Sequence, residues 1–487
     1  MRVLLISGAI SGEERYGNLE DIGAYLPPYG LMCLAAYLEE KGGHEVKIID
    51  SARYRLSIDK ICNEIKEFDP GLVGMSVYSI GANHAIETAM GIKEKFDVPI
   101  VVGGPHIIVY PDDLAQYEYF DYLVTGEGEQ TLLELVEAIS QSAGAEGVKG
   151  LYYRSNGHVI KNEQRLYFEN LDELPSPAFH LIENLETYSP QLMVYRKRPV
   201  ITLVTSRGCP YACIFCNSIW TRRWRANSAA YVVDLVEYVI DNFNAKEISF
   251  HEDTFALDKK RVLEICRLFK ERNINIPWTA SVNLRTLNKE VIGAMKDAGC
   301  WLVSCGIESG NDEVLDFIKK PVDTETVKRV TGWLDEAGIR IRGYFMIGHL
   351  VDTKESIEET IEFAKSLPLY TMNMSVLYLS PGSEAREIAG NYGHVDMGLD
   401  LGSGYPRGNL SFVPEGLSKG YIQDMQRKAL IDFFLRPSQI KRLLTAIEGP
   451  EDIRRYARMV KAFFKLSAQR IKFKFKRKSA QRESCCE

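Results

Sequence analysis

The sequence predicts two α/β domains in tandem: a doubly wound parallel sheet of the Rossmann type, followed by a partial (βα)6 barrel of the TIM type. Three observations support this prediction. The chain has 487 residues, more than one hydrophobic core normally serves. Short, continuously apolar segments alternate with amphipathic ones, as strands and helices do in parallel α/β folds. The alternation stops near residue 141 and restarts near residue 199.

The first domain is expected to span residues 1–140. Its candidate strands lie in RVLLISG, EVKIID, LVGMSVYS, PIVVGGP and DYLVTGE, with amphipathic helical stretches between them. Ligands of such sheets bind outside the carboxyl ends of the strands. Glycines at these ends let the backbone approach a ligand, although an ordinary tight turn would use glycine equally well. The segments concerned are YSIGAN (78–83), GGPH (103–106) and GEGE (126–129).

The second part of the chain is predicted in three sections. Residues 141–198 are expected to form a hairpin, in LYYRSNGHVIKN, and a linker interrupted by proline. Residues 199–400 are expected to form six strand–helix units, with the site at the carboxyl ends of the barrel strands. The six strand segments are PVITLVTSRG, EISFHEDTF, PWTASVN, WLVSCGIESG, RIRGYFMIG and TMNMSVLYLSPGS. Residues 401–487 are expected to be helical, with a basic tail.

Composition narrows the possible partners and compartment. The formal net charge is −7 and the sequence pI about 5.8, which argues against nucleic acid as a main partner. The amino terminus lacks the apolar core and the small-residue cleavage site of a secretory signal. No stretch approaches the roughly 20 uninterrupted apolar residues of a membrane span. We therefore expect a cytoplasmic protein, whose ten cysteines are reduced.

Three cysteines follow the first predicted barrel strand, in SRGCPYACIFCN (206–217). Cys209, Cys213 and Cys216 are one thiolate short of a closed structural zinc site, and no second CxxC or HxxxH lies nearby in the sequence. A disulfide would be unusual in this compartment and would leave an odd cysteine. A cubane iron–sulfur cluster suits three cysteines better, because one iron then remains free to bind a small molecule.

The spacing CxxxCxxC, with Phe215 before the last cysteine, resembles the radical S-adenosylmethionine (SAM) superfamily. The resemblance implies a [4Fe–4S] cluster on Cys209, Cys213 and Cys216, whose remaining iron chelates the amine and carboxylate of SAM. It further implies reductive cleavage of SAM to a 5′-deoxyadenosyl radical that abstracts hydrogen from a substrate. An electron donor such as flavodoxin or ferredoxin, and sensitivity to oxygen, would accompany that chemistry.

Later strand ends extend the resemblance to about residue 385. FHEDTF (250–255) is similar to the acidic loop that meets the SAM amine, and GIESG (306–310) to the motif at its ribose or carboxylate end. GYFMIGHLVDT (343–353) resembles the segment that lines the adenine. The SAM contacts that the resemblance implies are Glu252, Asp253, Ser281, Asn283, Glu308 and Ser309. Each of these polar residues could instead serve as a turn or a cap.

A parallel α/β domain ahead of such a barrel resembles the cobalamin-binding subclass of the superfamily. VVGGPH (101–106), DYLVTGEGEQTLLEL (121–135) and the linker segment LDELPSPAF carry this resemblance. It implies cobalamin held between the first sheet and the barrel mouth. The contacts that it implies are Ser79, Gly103, Gly104, Glu127 and Gly128. The chain lacks the DxHxxG motif that supplies a lower cobalt ligand in many cobalamin domains, and a domain of this fold that holds nothing is the alternative.

Three functions follow from these resemblances. With cobalamin present, the leading chemistry is methyl transfer to a carbon or phosphorus atom that is not nucleophilic. The subclass also includes anaerobic magnesium-protoporphyrin ester cyclases. An oxidoreductase or cyclase, in which cobalamin is absent or is not a methyl carrier, is therefore the second possibility. The third is a metal-binding scaffold without activity. The substrate would be a small molecule, a lipid or a tetrapyrrole, and the sequence does not choose among them.

The remaining cysteines are predicted to pack in the core or to lie in the tail. The core cysteines are Cys33, Cys62, Cys266, Cys300 and Cys305, and the tail cysteines are Cys485 and Cys486. The tail is basic from about residue 437, and IRRYARMVKAFFKL has apolar residues at helical spacing. This pattern fits a helix on an anionic membrane surface. A nucleic-acid patch, or a helix packed against the barrel, are the alternatives.

Overall fold

The computed structural model of the protein describes residues 1–8, 23–217, 222–396, 410–447, 449, 452–459 and 461. In these parts of the chain, no helix is both long and apolar enough to cross a membrane. The basic sequence beyond residue 461, with Cys485 and Cys486, lies outside the described residues.

The first sheet has seven strands in the order β2-β1-β3-β4-β5-β6-β7. They are β1 (Arg2–Ser7), β2 (Glu45–Ile49), β3 (Leu72–Ser76), β4 (Ile100–Gly103), β5 (Tyr122–Val124), β6 (Leu151–Ser155) and β7 (His158–Lys161). Strands β1 to β5 run parallel, which confirms the predicted Rossmann-type domain. The chain passes from β1 to β2 on one side and then to β3 on the other. The carboxyl ends of β1 and β3 therefore flank a topological switch point, where ligands of such sheets bind.

Helices cover this sheet on both faces. They are α1 (Tyr29–Gly42), α2 (Ser51–Tyr54), α3 (Ile58–Phe68), α4 (Ala82–Lys93), α5 (Pro105–Val109), α6 (Pro111–Ala115) and α7 (Glu129–Ser140). Strand β1 shows why two layers are needed. Leu4 and Ile6 belong to one apolar cluster, and Val3 and Leu5 belong to another. Alternate side chains of a strand point to opposite faces, so a strand that is apolar throughout must be buried on both.

The hairpin of residues 151–161 was predicted to lie outside the first domain, and the structure places it elsewhere. Strand β6 pairs with β5 in antiparallel fashion, with Tyr153 opposite Tyr122, and β7 continues the sheet beyond it. The hairpin is therefore part of the first sheet. The physical reason is that β5 would otherwise present an uncovered edge of unpaired backbone groups.

The second sheet has six parallel strands in the order β15-β14-β13-β12-β11-β8, which confirms the predicted partial barrel. They are β8 (Val200–Leu203), β11 (Glu247–Phe250), β12 (Trp278–Val282), β13 (Cys300–Glu308), β14 (Arg340–Ile347) and β15 (Thr371–Val376). Two short antiparallel pairs accompany it: β9 (Ser206–Arg207) with β10 (Arg225–Ala226), and β16 (Gly393–Val395) with β17 (Phe412–Pro414).

The helices of this half follow the strands in turn. They are α8 (Ala229–Phe243), α9 (Lys259–Glu271), α10 (Lys289–Asp297), α11 (Asp312–Phe317), α12 (Thr324–Glu336), α13 (Lys354–Ser366), α14 (Glu384–Ile388), α15 (Lys419–Leu435) and α16 (Pro437–Thr445). Short 3-10 turns occupy Ser79–Gly81, Leu171–Glu173, Phe179–Leu181, Leu185–Thr187, Leu284–Thr286 and Ala389–Asn391.

Helix α16 and residues 452–459 pack on the base of the barrel, opposite the carboxyl ends of its strands. Ala446, after α16, joins an apolar cluster with Trp301 at the start of β13 and with Tyr370. Residues 452–459 are helical, and the hydroxyl of Tyr456 lies 2.8 Å from that of Tyr370. The described part of the predicted basic helix thus packs on protein. Membrane contact by the sequence beyond it stays a prediction.

Candidate functional site

The cysteine loop (residues 208–217) follows β9 at the carboxyl end of the first barrel strand. It begins at Gly208, whose φ of 88° lies in the left-handed region that favours glycine. Ile214 anchors its middle: the amide donates to the carbonyl of Ile318 at 3.1 Å, and the carbonyl accepts from the amide of Ala385 at 2.9 Å. These bonds hold the loop at the barrel mouth, where the site of such a barrel is expected.

The three cysteines of this loop are free thiols, with Cys213 buried, Cys209 half-buried and Cys216 exposed. Burial raises the pKa of all three, that of Cys216 to about 11, and the charges of the other two add to the shift at Cys216. The sulfurs therefore lie near one another. Among the described residues, no three His, Cys, Asp or Glu side chains converge on one ion. Three thiols on one loop suit a cubane cluster, which offers each thiolate its own iron.

Lys320 brings a buried positive charge to the cysteine loop. Its side chain is 11% exposed, and its Nζ lies 3.0 Å from Oε1 of Glu308. Its charge lowers the pKa of each of the three cysteines, against the larger effect of burial. Sequence reasoning missed this residue, because two adjacent lysines in FIKKPVD give no sign that one of them is buried.

Glu308 owes its orientation to an irregularity in β13. Its φ is 70°, and the pairing of β13 with β14 shifts register between Gly306 and Glu308. A bulge of this kind turns a side chain away from its regular face. Here it places the predicted SAM-contacting carboxylate on Lys320, beside the cysteines.

The two acidic residues after β11 have different surroundings. Glu252 is buried, and its carboxylate accepts from the amide of Thr205 at 2.9 Å and from the hydroxyls of Thr205 and Ser206. Both its oxygens therefore already hold the turn between β8 and β9. Asp253 is solvent-exposed, yet burial raises its pKa and its charge raises that of two cysteine thiols. This combination is expected of a carboxyl group that lines a concave surface, and contact of Glu252 or Asp253 with the SAM amine stays a prediction.

The other predicted SAM contacts lie at strand ends with local partners. The hydroxyl of Ser309 is buried, 3.0 Å from that of Thr360. Asn283 caps the 3-10 turn after β12 by accepting from the backbone amide two residues on, at 3.0 Å. Ser281 is half-buried on β12, and its carbonyl accepts from the amide of Phe255 at 2.8 Å. Capping and packing thus account for the hydroxyl of Ser309 and the amide side chain of Asn283, and SAM contact by all three stays a prediction.

His349, after β14, is a further group at this mouth that sequence reasoning did not single out. Its ring is buried, packs 6.0 Å from the ring of Phe215 in the cysteine loop, and has a pKa lowered by burial. Its Nε2 is a buried atom that has no hydrogen-bond partner among the residues that the structure describes. The segment GYFMIGHLVDT indicated that this region lies near the site, but nothing in the sequence indicated a role for the histidine itself.

The carboxyl edge of the first sheet carries a buried histidine between two polar side chains. Nδ1 of His106 lies 3.0 Å from the hydroxyl of Ser79, and Nε2 lies 2.9 Å from a carboxylate oxygen of Asp113. Burial lowers the pKa of His106, although Asp113 opposes the shift. A carboxylate only accepts, so the neutral ring donates to Asp113 and accepts from Ser79. Both ring nitrogens of His106 thus have hydrogen-bond partners.

The glycines predicted to approach cobalamin have packing roles of their own. A Cβ on Gly104, whose φ is 97°, would lie 2.9 Å from Oγ of Ser76. A Cβ on Gly128 would lie 2.9 Å from a methyl group of Leu34 in α1, and one on Gly103 would touch the neighbouring strand. Tight turns and close helix packing thus account for Gly104 and Gly128. Their contact with cobalamin stays a prediction.

The first sheet and the cysteine loop are linked by direct contacts. The side-chain amide of Asn217 donates to the carbonyl of Pro381 at 2.7 Å. The amide of the next residue, Gly382, donates to the hydroxyl of Tyr110 at 3.2 Å. The ring of Tyr110 in turn packs edge-to-face on that of His106, 6.0 Å away. The site predicted for cobalamin and the site predicted for the cluster therefore adjoin.

Glu127, predicted as a cobalamin contact, forms ion pairs with two arginines of the barrel half. Its Oε1 lies 2.8 Å from Nη1 of Arg207 and 3.0 Å from Nη2 of Arg225. These partners are 80 and 98 residues away in sequence, so no local pattern could predict them. Contact of Glu127 with cobalamin stays a prediction.

Comparisons with known proteins agree with this geometry. Residues 203–364 match the radical SAM superfamily, and residues 17–136 match the B12 binding domain. The uncharacterized methyltransferase PH0819 of Pyrococcus horikoshii is 34% identical over 431 residues, which cover 85% of this chain and 89% of that protein. This chain belongs to the cobalamin-binding subclass of the radical SAM superfamily.

Two further relatives in this subclass carry different reaction names. The anaerobic magnesium-protoporphyrin IX monomethyl ester cyclase of Rubrivivax gelatinosus is 27% identical over 375 residues, covering 75% of this chain and 66% of that enzyme. The cytidylyl-2-hydroxyethylphosphonate methyltransferase of Streptomyces wedmorensis is 30% identical over 387 residues, covering 68% of this chain and 71% of that enzyme. Membership of the subclass therefore does not select one reaction.

Solved structures share the fold. The cobalamin-dependent SAM radical enzyme OxsB, with aqua-cobalamin and SAM bound, aligns with a TM-score of 0.73 at 18% identity, over 95% of this chain and 72% of that one. The radical SAM methyltransferase TsrM of Kitasatospora setae aligns with a TM-score of 0.69 at 18% identity, over 96% and 99% of the two chains. Both alignments extend over the first domain and the barrel together.

The cofactors of this radical SAM enzyme are a [4Fe–4S] cluster, SAM and cobalamin. The described residues fit them. Three neighbouring thiols with a cation beside them suit an iron–sulfur cluster that leaves one iron open. The carboxyl edge of the first sheet, where ligands of such folds bind, adjoins those thiols.

Proposed function

We propose that this radical SAM enzyme is a cobalamin-dependent methyltransferase. It methylates an unactivated carbon or phosphorus atom of a small-molecule, lipid or tetrapyrrole substrate. The observation that carries the proposal is the contact path from Asn217, beside the last cysteine, to Tyr110 at the carboxyl edge of the first sheet. A methyl donor and a radical source that act on one substrate must be neighbours, because effective catalysis requires reacting groups in contact.

When bound, the cluster supplies the electron that cleaves SAM and cobalamin supplies the methyl group. The protein holds and orients these cofactors and shields them from water. The thiolates of Cys209, Cys213 and Cys216 hold the cluster, and Asp253 is placed to accept from the SAM amine. Lys320, itself held by Glu308, offsets the negative charge of the thiolates and is suited to a SAM carboxylate.

Apolar packing behind the cysteine loop excludes water from one side of the site. Ile214 is buried in a cluster with Leu315, Ile318 and Leu350, and Phe215 packs against the same cluster. Exclusion of water strengthens electrostatic interactions at the cluster and protects a carbon radical from side reactions. One side of the cysteine loop therefore packs on an apolar cluster that excludes water.

The test uses full-length protein reconstituted anaerobically with iron, sulfide and hydroxocobalamin. Incubation with SAM and dithionite should release 5′-deoxyadenosine, and the desalted protein should keep a cobalamin absorption spectrum. With a candidate substrate, SAM labelled in its methyl group should place the label in the product. Protein that retains cobalamin and forms 5′-deoxyadenosine, but leaves the label out of every product, would contradict methyl transfer.

The second candidate is an oxidoreductase or cyclase, favoured by the 27% identity to the magnesium-protoporphyrin IX monomethyl ester cyclase. The same experiment separates the two. A cyclase or oxidoreductase would consume substrate with 5′-deoxyadenosine formation, and the product would lose hydrogen without gaining the labelled methyl group.

A further inference from the structure

We propose that four buried charges, Glu127, Glu129, Arg207 and Arg225, form a positioning device, here called the interdomain ion-pair network. It holds the cysteine loop in a fixed place against the carboxyl edge of the first sheet. The inference rests on the proposed function in one respect: transfer of a methyl group between the two cofactor sites depends on the network, whereas radical generation within the barrel does not.

The network joins the two domains by several short contacts. Arg207 Nη1 lies 2.8 Å from Oε1 of Glu127, and its Nη2 lies 2.6 Å from Oε1 of Glu129. Arg225 reaches both oxygens of Glu127, each at 3.0 Å. The linker takes part as well, because Glu127 accepts from the amide of Phe168 at 2.9 Å and Arg225 donates to its carbonyl at 2.6 Å. Paired arginine–carboxylate contacts of this type fix geometry as well as charge.

Burial makes these contacts depend on domain docking. The side chains of Glu127, Glu129, Arg207 and Arg225 are 2, 6, 12 and 3% exposed. Arg207 and Arg225 stand directly opposite each other in the β9–β10 pair, where two like charges repel. Glu127 and Glu129 of the first domain neutralise them. A shift between the domains would leave buried charges unpaired, which is strongly unfavourable, so the network tolerates one docking geometry.

The position of the network connects it to both cofactor sites. Arg207 is the second residue before Cys209, at the entry to the cysteine loop. Glu127 and Glu129 lie in GEGE, which follows β5 at the carboxyl edge of the first sheet. Any displacement at these residues therefore moves the cysteine loop relative to that edge. A misplacement of about 1 Å between reacting groups can cost roughly 100-fold in rate, so the transfer step is the one that should suffer.

The experiment compares three full-length variants. Arg207→Met removes both of its ion pairs while keeping an extended side chain. Glu129→Gln is the milder change, because Arg207 keeps its bond to Glu127. Arg223→Met is the matched control, because the nearby Arg223 pairs with Glu169 at the surface, where the side chains are 68 and 63% exposed.

Two products of SAM report on the two steps, without knowledge of the substrate. Reconstituted protein receives SAM, hydroxocobalamin and titanium citrate. Reductive cleavage of SAM yields 5′-deoxyadenosine. Methyl transfer to the reduced cobalt breaks the sulfur–methyl bond, uses the electron pair of the metal for the new bond, and releases S-adenosylhomocysteine. Hydrogen exchange of the unreconstituted protein, at residues 125–130 and 205–210, reports on docking itself.

The ratio of S-adenosylhomocysteine to 5′-deoxyadenosine should fall by about 10- to 100-fold in Arg207→Met. The ratio should fall less in Glu129→Gln, and in Arg223→Met it should stay within about twofold of the parent value. Exchange should rise in both segments for Arg207→Met and stay unchanged for the control. A ratio within about twofold of the parent in Arg207→Met overturns the proposal. A parallel loss of both products, with faster exchange throughout the barrel, also overturns it, since that result marks a merely structural role.

Failure of the proposed function would look different. Parent protein that forms 5′-deoxyadenosine but neither retains cobalamin nor releases S-adenosylhomocysteine contradicts the proposed function. Hydrogen exchange then tests the network by itself. Faster exchange in Arg207→Met that is confined to residues 125–130 and 205–210 supports the network. Unchanged exchange in Arg207→Met refutes it.

Discussion

Glu247 allows a quantitative test of the barrel's base. Its carboxylate is fully buried at the start of β11, where it accepts from the amides of Arg196 and Lys197 at 2.6 and 2.7 Å and from Nε1 of Trp301 at 2.9 Å. Burial outweighs these three donors and raises the pKa of Glu247 from 4.5 to about 7. At about 1.4 kcal/mol per pH unit, the difference between these pKa values corresponds to about 3 kcal/mol.

The sign follows from the raised pKa. The folded state prefers the protonated acid, so this contribution to the free energy of unfolding is complete below pH 4.5 and is lost as the pH rises through about 7. Glu247→Gln cannot ionise. Between these pH values the parent should therefore lose about 3 kcal/mol of stability relative to the variant. The changed hydrogen bonds of the glutamine add an offset that does not vary with pH.

The assay is urea unfolding of the metal-free protein at several pH values, followed by tryptophan fluorescence. All five tryptophans lie between residues 220 and 333, so the signal reports on the barrel. Glu264→Gln is the control. The half-buried Glu264 pairs with Arg267, which lowers the pKa of Glu264, so any change in stability with pH has the opposite sign. The difference in the free energy of unfolding between the parent and Glu247→Gln could stay constant with pH to within about 0.5 kcal/mol, or the parent could gain stability as the pH rises. Either result would refute a raised pKa for Glu247.

Three further predictions concern the site and the tail. Cys213→Ala should abolish cluster absorbance and 5′-deoxyadenosine formation, whereas Cys305→Ala, at a buried thiol outside the cysteine loop, should keep both; an active Cys213→Ala variant would contradict the ligand assignment. Lys320→Met should lower the cluster's midpoint potential by roughly 50 mV in a redox titration, because a nearby positive charge favours the reduced cluster. The exposed Lys319→Met is its control, and equal shifts in both variants would count against a specific role. Full-length protein should co-sediment with phosphatidylglycerol vesicles at low salt and lose this on deletion of residues 462–487; no co-sedimentation would mean that the membrane hypothesis is wrong.

The fold could be predicted largely from local patterns. Strands such as β1 and β3 have continuously apolar middles, because a parallel sheet buries both faces, and this is visible in the sequence alone. The hairpin of residues 151–161 was recognised as a hairpin, but its place in the first sheet was not. Pairing with β5 depends on which edge lies open in three dimensions, and no pattern within the hairpin records it.

The sequence by itself predicted two parallel α/β sheets and a loop of three cysteines as the cluster site. Strand patterns are local, and the three cysteines lie close together on one short loop. Only the tertiary structure decided that Glu252 holds a turn, that the charges of Asp253 and Lys320 act on the cysteine thiols, and that Lys320 pairs with Glu308. It also decided that Glu127 pairs with Arg207 across the domain interface. These contacts depend on burial and on the Coulomb interaction between charged groups. Both depend on distance in space, which the folded chain sets between residues that are far apart in sequence, 98 positions in the case of Glu127 and Arg225.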